Sequence, residues 1–156
     1  MTLPASFPFS MSDVATELGL TLPLSINHPW VIALAFKSAL PVSFSDLLGQ
    51  SGHFDGNVTG NGGGGTSSAP FPTGSKFFGG TLSVITDQSG SITLSFLIPP
   101  GGVYPNWTGN IKVVNVTAGL SVVLTKSNLS TWVGTGSASL VPPNGTANHL
   151  TVYPST

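Results

Sequence analysis

The chain has 156 residues, which is enough for one full domain and an accessory segment. Only 6% of the residues are charged, arginine is absent and the net charge is -1, so the basic clusters that bind nucleic acid are missing. Cysteine is absent too, which excludes disulfides and thiolate chemistry. The most apolar stretch, Trp30–Phe36, is too short to cross a bilayer, for which about 20 apolar residues are needed.

A five-residue unit occurs three times in the N-terminal third, at Phe9–Asp13, Leu24–His28 and Val42–Asp46. Each unit alternates apolar and small polar residues over three positions and then presents a Ser or an Asn, which are preferred helix N-caps. We therefore predict short extended pieces that each lead into a short helix. The predicted N-caps are Ser12, Asn27 and Ser45.

The three predicted helices are all short. The first ends at Gly19, the second begins at Pro29, and the third makes one turn at most before Gly49. Helices of this length are marginal in water, yet the segment is rich in large apolar residues. Either the rest of the chain or a partner must cover that surface, and we predict a partner.

Residues 51–80 are predicted to form a linker between two regions. Asn61–Gly65 is a glycine run of the kind found in flexible linkers, and Ala69–Pro72 is a stiff proline-rich spacer. The glycine run lacks the Lys-Ser/Thr of a phosphate-binding loop.

Alternating apolar and polar residues predict strands from Thr81 onward. Thr81–Thr86 and Ser91–Ile98 form a predicted hairpin, and Asn110–Thr117 with Leu120–Thr125 forms a second one. Three further strands are predicted at Leu129–Gly134, Ser137–Val141 and Ala147–Tyr153.

The fold class that follows is mainly β. We expect a C-terminal antiparallel β-sandwich or jelly-roll-like domain at residues 81–156, preceded by an extended N-terminal anchor with short helices at residues 1–50.

The N-terminal third resembles the start of many tailed-bacteriophage structural proteins of the tail, tail-fibre and minor virion classes. Those proteins begin with an LPSSGPISMSDV-type sequence and continue to a Glu-Leu-Gly, an ISLND-type unit and a second ISMSD-type unit that ends in glycine. Phe7 stands where that pattern prefers glycine. The matching stretches are Leu3–Ser6, Phe9–Val14, Glu17–Gly19, Leu24–Asn27 and Val42–Gly49.

The resemblance implies a virion component whose N-terminal segment attaches to other phage structural proteins of the portal, neck, tail or capsid. It also implies a homo-oligomer, for which we expect a trimer. In such a protein, docking would be carried by residues of the three units and of the helices that follow them. The predicted docking residues are Phe9, Met11, Ser12, Asp13, Leu18, Ile26, Asn27, Trp30, Phe44, Ser45 and Asp46.

No residue pattern in the chain indicates an enzyme, a cofactor or a metal site. Asp13 and Glu17 share a predicted helix face, but acidic residues are also favoured at a helix start for electrostatic reasons. The histidines are too dispersed for metal-ligand spacing, and only the His53 and Asp55 pair suggests a weak site.

Two aromatic residues, Tyr104 and Trp107, are candidates for contact with a host surface glycan. Trp107 lies in a Pro-Asn-Trp-Thr-Gly loop, and an exposed aromatic ring on a β-domain can stack on a sugar. The competing interpretation is that Trp107 is buried in the core, as Trp132 in its predicted strand is expected to be.

Three functions are compatible with the sequence. The first is a tail or neck fibre-like component that docks by its N-terminal segment and displays the β-domain. The second is a capsid decoration protein, and the third is a glycan- or receptor-binding module.

Overall fold

A computed structural model describes residues 2–62 and 66–156. Gly63–Gly65 of the predicted flexible glycine run lie outside the described residues. The helices are α1 Met11–Leu18, α2 Pro29–Leu34 and α3 Phe44–Leu47, with a 3-10 turn at Ala138–Leu140. The strands are β1 Phe54–Thr59, β2 Thr66–Pro70, β3 Lys76–Phe77, β4 Gly80–Gln88, β5 Ser91–Phe96, β6 Asn110–Asn115, β7 Leu120–Lys126, β8 Thr131–Thr135 and β9 Ala147–Ser155.

The described strands form one antiparallel sheet that curls into a nearly closed barrel. Their order is β1-β9-β6-β7-β8-β5-β4-β2, and β3 pairs with β4. The two ends of this order approach each other, because Asn61 and Ser68 exchange backbone hydrogen bonds of 2.6 and 2.8 Å. The prediction of a mainly β, antiparallel fold with a few short helices is confirmed.

Both predicted hairpins are present. In the first, Gln88 pairs with Ser91. The intervening Ser89 and Gly90 both have positive φ, of 52° and 92°, which is the geometry of a tight type I′ turn. In the second hairpin, β6 pairs with β7, and the side chain of Asn115 accepts a hydrogen bond from the backbone N–H of Ala118 in the turn.

Two predictions about the chain's organisation are wrong. Residues 51–80 are not a linker, because β1 pairs along its whole length with β9 and β2 pairs with β4. Residues 137–141 are not a strand but hold the 3-10 turn, in which the Ser137 hydroxyl accepts a hydrogen bond from the N–H of Ser139.

The core lies inside the barrel and continues under the N-terminal segment. Alternate residues of β5, β6 and β7 point inward and are buried. The buried cluster also includes Leu3, Val14, Leu18, Val31, Leu34 and Leu47 from the N-terminal segment. The accessible surface is 7364 Å² for a mass of 15.9 kDa, and a compact monomer of that mass has about 7,300 Å².

The apolar surface of residues 1–50 is therefore covered largely by the rest of the chain. This corrects the prediction that a partner covers it. The contacts of the segment with residues 51–53 and 106 lie at the end of the barrel where β1, β4 and β6 begin.

Candidate docking surface

Two of the three repeated units form the same small structure at the start of a helix. The carboxylate of Asp13 accepts hydrogen bonds from the N–H and hydroxyl of Ser10, at 2.6 and 2.9 Å. Asp46 does the same for Ser43, at 2.7 and 2.8 Å. These are capping boxes, in which an acidic side chain satisfies an otherwise unpaired N–H at the helix start.

The N-caps are therefore Ser10 and Ser43, not the predicted Ser12 and Ser45. In the second unit the N-cap is His28 instead of Asn27, and the His28 Nδ1 accepts from the N–H of Trp30 at 3.2 Å. The prediction failed because each unit contains polar residues at several positions. The acidic residue three positions after the true cap was the signal that identifies it.

A chain of three phenylalanine rings in contact, the first pair stacked and the second tilted, joins the first and third units. The ring centroids of Phe7 and Phe9 are 5.4 Å apart, and those of Phe9 and Phe44 are 5.3 Å apart. Phe7 is 57% exposed, whereas Phe9 and Phe44 are half-buried. We call these three residues the aromatic patch. Phe7 and Phe9 directly precede the first capping box, and Phe44 lies within the second.

The predicted docking residues differ in whether a partner could reach them. Leu18 is buried in the core, so it does not contact a partner in this structure, and its predicted role is wrong. Trp30 is half-buried, and its ring packs edge-on against Trp107 at 5.3 Å. The exposed members are Ser12, Asp13, Asn27 and Ser45, and the other half-buried members are Phe9, Met11, Ile26, Phe44 and Asp46.

A buried carboxylate fastens α1 to the barrel. Glu17 is 1% exposed, and its Oε1 accepts hydrogen bonds from the backbone N–H of Gly52 at 2.7 Å and of His53 at 3.2 Å. The Nδ1 of His53 lies 2.8 Å from the backbone oxygen of Glu17. Burial raises the pKa of Glu17. Glu17 is therefore a structural residue and not one half of an acid–base pair with the exposed Asp13.

A side-chain amide fastens α2 to the barrel in a similar way. The Nδ2 of Asn106 donates to the backbone oxygens of Ala33 at 3.1 Å and of Lys37 at 3.0 Å. Ala33 lies in the last turn of α2, and Lys37 follows shortly after the helix ends. Asn106 thus attaches the end of α2 and the residues after it to the barrel.

One ion pair stabilises the third unit. The Lys37 Nζ lies 2.7 Å from the Asp46 Oδ2 and 2.9 Å from the backbone oxygen of Pro41. The hydrogen bond from Lys37, together with those from Ser43, lowers the pKa of Asp46 to about 2. This pair leaves Asp13 as the unpaired charge beside the aromatic patch among the described residues.

Replacing Lys37 with Met should raise the pKa of Asp46 above its value of about 2 in the wild type. A lowered pKa means that the pair stabilises the fold above the ordinary carboxyl pKa, and that this stability is lost as the pH falls toward 2. Carboxyl NMR titration of both proteins measures the change. An identical Asp46 pKa in the two proteins would show that Lys37 does not contact it.

The glycan-binding prediction fails at Trp107. This residue is 4% exposed, its indole N–H donates to the backbone oxygen of Asn110 at 2.9 Å, and its ring contacts Phe78 and Trp30. A ring enclosed in this way cannot stack on a sugar. Tyr104 is 39% exposed, and no aromatic ring of the described residues packs against it. Trp132 is fully buried, as predicted.

The suggested weak metal site is not formed either. His53 stacks on Tyr153 and faces Glu17, whereas Asp55 pairs with His149 at 2.7 Å on the outer face of the barrel. The described residues contain no group of three or more potential metal ligands. No helix among them is long and apolar enough to span a bilayer.

Comparison with protein-family models, curated proteins and solved structures gives no match.

The sequence did not reveal which apolar residues of the N-terminal segment remain exposed. Phe7, Leu22, Phe36 and Leu40 are each about half exposed, although none of them belongs to the predicted docking set. Phe7 was the one position with an indication in the sequence, because it stands where the phage-protein pattern prefers glycine.

Proposed function

We propose that the chain is a non-enzymatic structural protein of a tailed-bacteriophage particle, located in the virion as a tail or neck component. Its N-terminal segment docks onto another structural protein of the particle, and the barrel is displayed from that attachment. The sequence resemblance of the three units supports this role, and so does the mainly β fold.

The observation that carries the proposal is the aromatic patch. The exposed Phe7 ring stacks on the half-buried Phe9, which in turn packs at a tilt against the half-buried Phe44. Such a supported aromatic side chain is an anchor of the type that contributes most to protein interfaces. Both flanking capping boxes satisfy their own polar groups, so a partner can cover them without leaving unpaired N–H groups buried.

The mode of docking differs from the sequence expectation. We expected short extended pieces that each lead into a short helix and whose apolar surface a partner covers. The first and third units are instead helix starts that are already folded on the barrel. Docking is therefore proposed to occur through side chains of a preformed surface, which lowers the entropy lost on binding.

Replacing Phe7 with Ser should reduce the amount of this protein in purified phage particles by about tenfold or more, the effect expected for an interface anchor. Quantitative mass spectrometry of particles grown with each variant measures it. Val116→Ser is the control, because Val116 is 54% exposed in the β6–β7 turn, at the opposite end of the barrel.

Equal incorporation of the two variants would contradict docking by the aromatic patch. The copy number in the same measurement separates a tail or neck component from a capsid decoration protein, which would be present in hundreds of copies.

A further inference from the structure

The loop that follows β5 exposes a set of large apolar side chains. Leu97, Ile98, Val103 and Tyr104 are 40%, 57%, 52% and 39% exposed. The loop contains no charged residue between Leu97 and Tyr104, where the remaining residues are two prolines and two glycines. We call residues 97–104 the apolar loop.

The apolar loop has a defined shape. Its arms are joined by a hydrogen bond from the N–H of Gly102 to the oxygen of Ile98 at 3.1 Å, and the N–H of Leu97 donates to Thr81 in β4 at 2.9 Å. A Cβ on Gly102 would lie 2.6 Å from the Cβ of Leu97, so the two arms are in contact. The exposed side chains are thus presented by a folded turn.

Further exposed apolar residues lie beside this loop. Leu129 is 61% exposed, and the neighbouring Ser130 accepts a hydrogen bond from the N–H of Phe96, directly before the loop. The half-exposed ring of Phe36 covers Gly79, while the adjacent Gly80 is in contact with Pro105 at the end of the loop. The apolar loop is therefore part of a larger apolar surface at one end of the barrel.

The extent of this surface suits a protein interface. The four loop side chains and Leu129 are 39–61% exposed, and contiguous apolar patches of about 300–600 Å² are the largest on typical monomers and are often functional. The apolar centre of a specific interface is surrounded by a polar rim.

The charge distribution favours a second copy of the same chain as the occupant. Identical surfaces that meet near a symmetry axis bring like charges together, but a loop without charges meets its own copy with no such repulsion. The net charge of -1 also leaves little repulsion between whole molecules. A lipid surface would be favoured by a cluster of basic residues. The loop contains none, and the nearby Lys76 donates to the hydroxyl of Thr81 at 2.7 Å.

We propose that copies of this chain associate with each other through the apolar loop, with the loops packed together beside the symmetry axis. The contact goes beyond docking onto the particle, since it forms between identical chains and uses a different surface. It can therefore be tested on the purified chain alone.

Ile98→Lys should weaken self-association by about tenfold or more in a sedimentation-equilibrium concentration series, because it places a like charge in each copy of the contact. Val103→Lys should act in the same direction. Val116→Lys is the matched control and should leave the association constant unchanged, since Val116 is equally exposed but lies at the other end of the barrel.

A cysteine variant gives an independent readout, because the chain has no cysteine of its own. Ile98→Cys should form an interchain disulfide on mild oxidation, and Val116→Cys should not. A wild-type chain that stays monomeric at millimolar concentration overturns the proposal, and so does equal weakening by the Ile98 and Val116 lysine variants. Flotation of the wild type with phosphatidylcholine vesicles, abolished by Ile98→Lys, would assign the loop to lipid and likewise overturn it.

Discussion

A fragment comprising residues 76–156 should fail to fold. It keeps β3 to β9 but loses β1 and β2, which pair with β9 and β4 at the two ends of the strand order. It also loses the buried side chains of Phe54, Val58, Ala69 and Phe71. Burial of a large apolar side chain contributes about 1.5–3 kcal/mol, so losing them removes much of the 5–15 kcal/mol by which a domain is stable.

A longer fragment, residues 51–156, is the control for this experiment. It retains all nine described strands and loses the segment whose Trp30 packs against Trp107. We expect it to fold with a lower free energy of unfolding than the whole chain. Circular dichroism and urea denaturation measure both fragments, and a cooperative transition for residues 76–156 would show that the barrel does not need its first two strands.

Glu17→Ala should lower the free energy of unfolding by about 2–4 kcal/mol. The buried carboxylate accepts from the backbone of Gly52 and His53 and from the Ser51 hydroxyl, at 2.7, 3.2 and 3.3 Å. Without it the N–H of Gly52 loses the acceptor that it has in the folded chain, and a cavity is left under α1. Limited proteolysis should then cut the N-terminal segment before the barrel.

Asp55→Ala is the control for this substitution, because it removes a carboxylate that is 46% exposed and pairs only with His149 on the outer face of the barrel. Its effect should stay below about 1 kcal/mol. Urea midpoints for Glu17→Ala that equal those of the wild type would contradict the structural role of Glu17.

The stability of the wild type and that of Glu17→Ala should also depend differently on pH. Burial raises the pKa of Glu17 above its ordinary value of 4.5, so its folded form binds a proton that the unfolded chain has already released. The wild type is therefore expected to lose stability as the pH rises from 4.5 through the raised pKa, and Glu17→Ala should lack that loss.

The sequence revealed the parts of this fold that depend on neighbouring residues. The Ser89-Gly90 turn, the alternation in β5 to β7, the C-cap at Gly19 and Pro29 at the start of α2 are all local signals, and each was predicted. Helix α2 ends at Leu34, before its apolar run does, and Asn106 binds the backbone oxygens of Lys37 and Ala33 there from 69 and 73 residues away.

The errors arose where partners distant in sequence decide the structure. β1 and β2 are rich in Gly, Ser, Asn and Thr and resemble a loop. Their hydrogen bonds come from other strands, β9 at the far end of the chain for β1 and β4 for β2. The pocket around Trp107 likewise joins Trp30 and Phe78, which no local pattern connects. The aromatic patch was partly foreseen, since Phe9 and Phe44 belong to the repeated units, but Phe7 was not.

The N-terminal segment leaves and returns to nearly the same point. The N–H of Leu3 donates to the oxygen of Gln50 at 2.8 Å, and the N–H of Gly49 donates to the oxygen of Pro4 at 3.0 Å. The segment is thus closed on itself at its base and packed on the barrel along one face. Substitutions on its exposed face, away from the buried core residues, are therefore expected to change what the segment binds without moving the strands that follow.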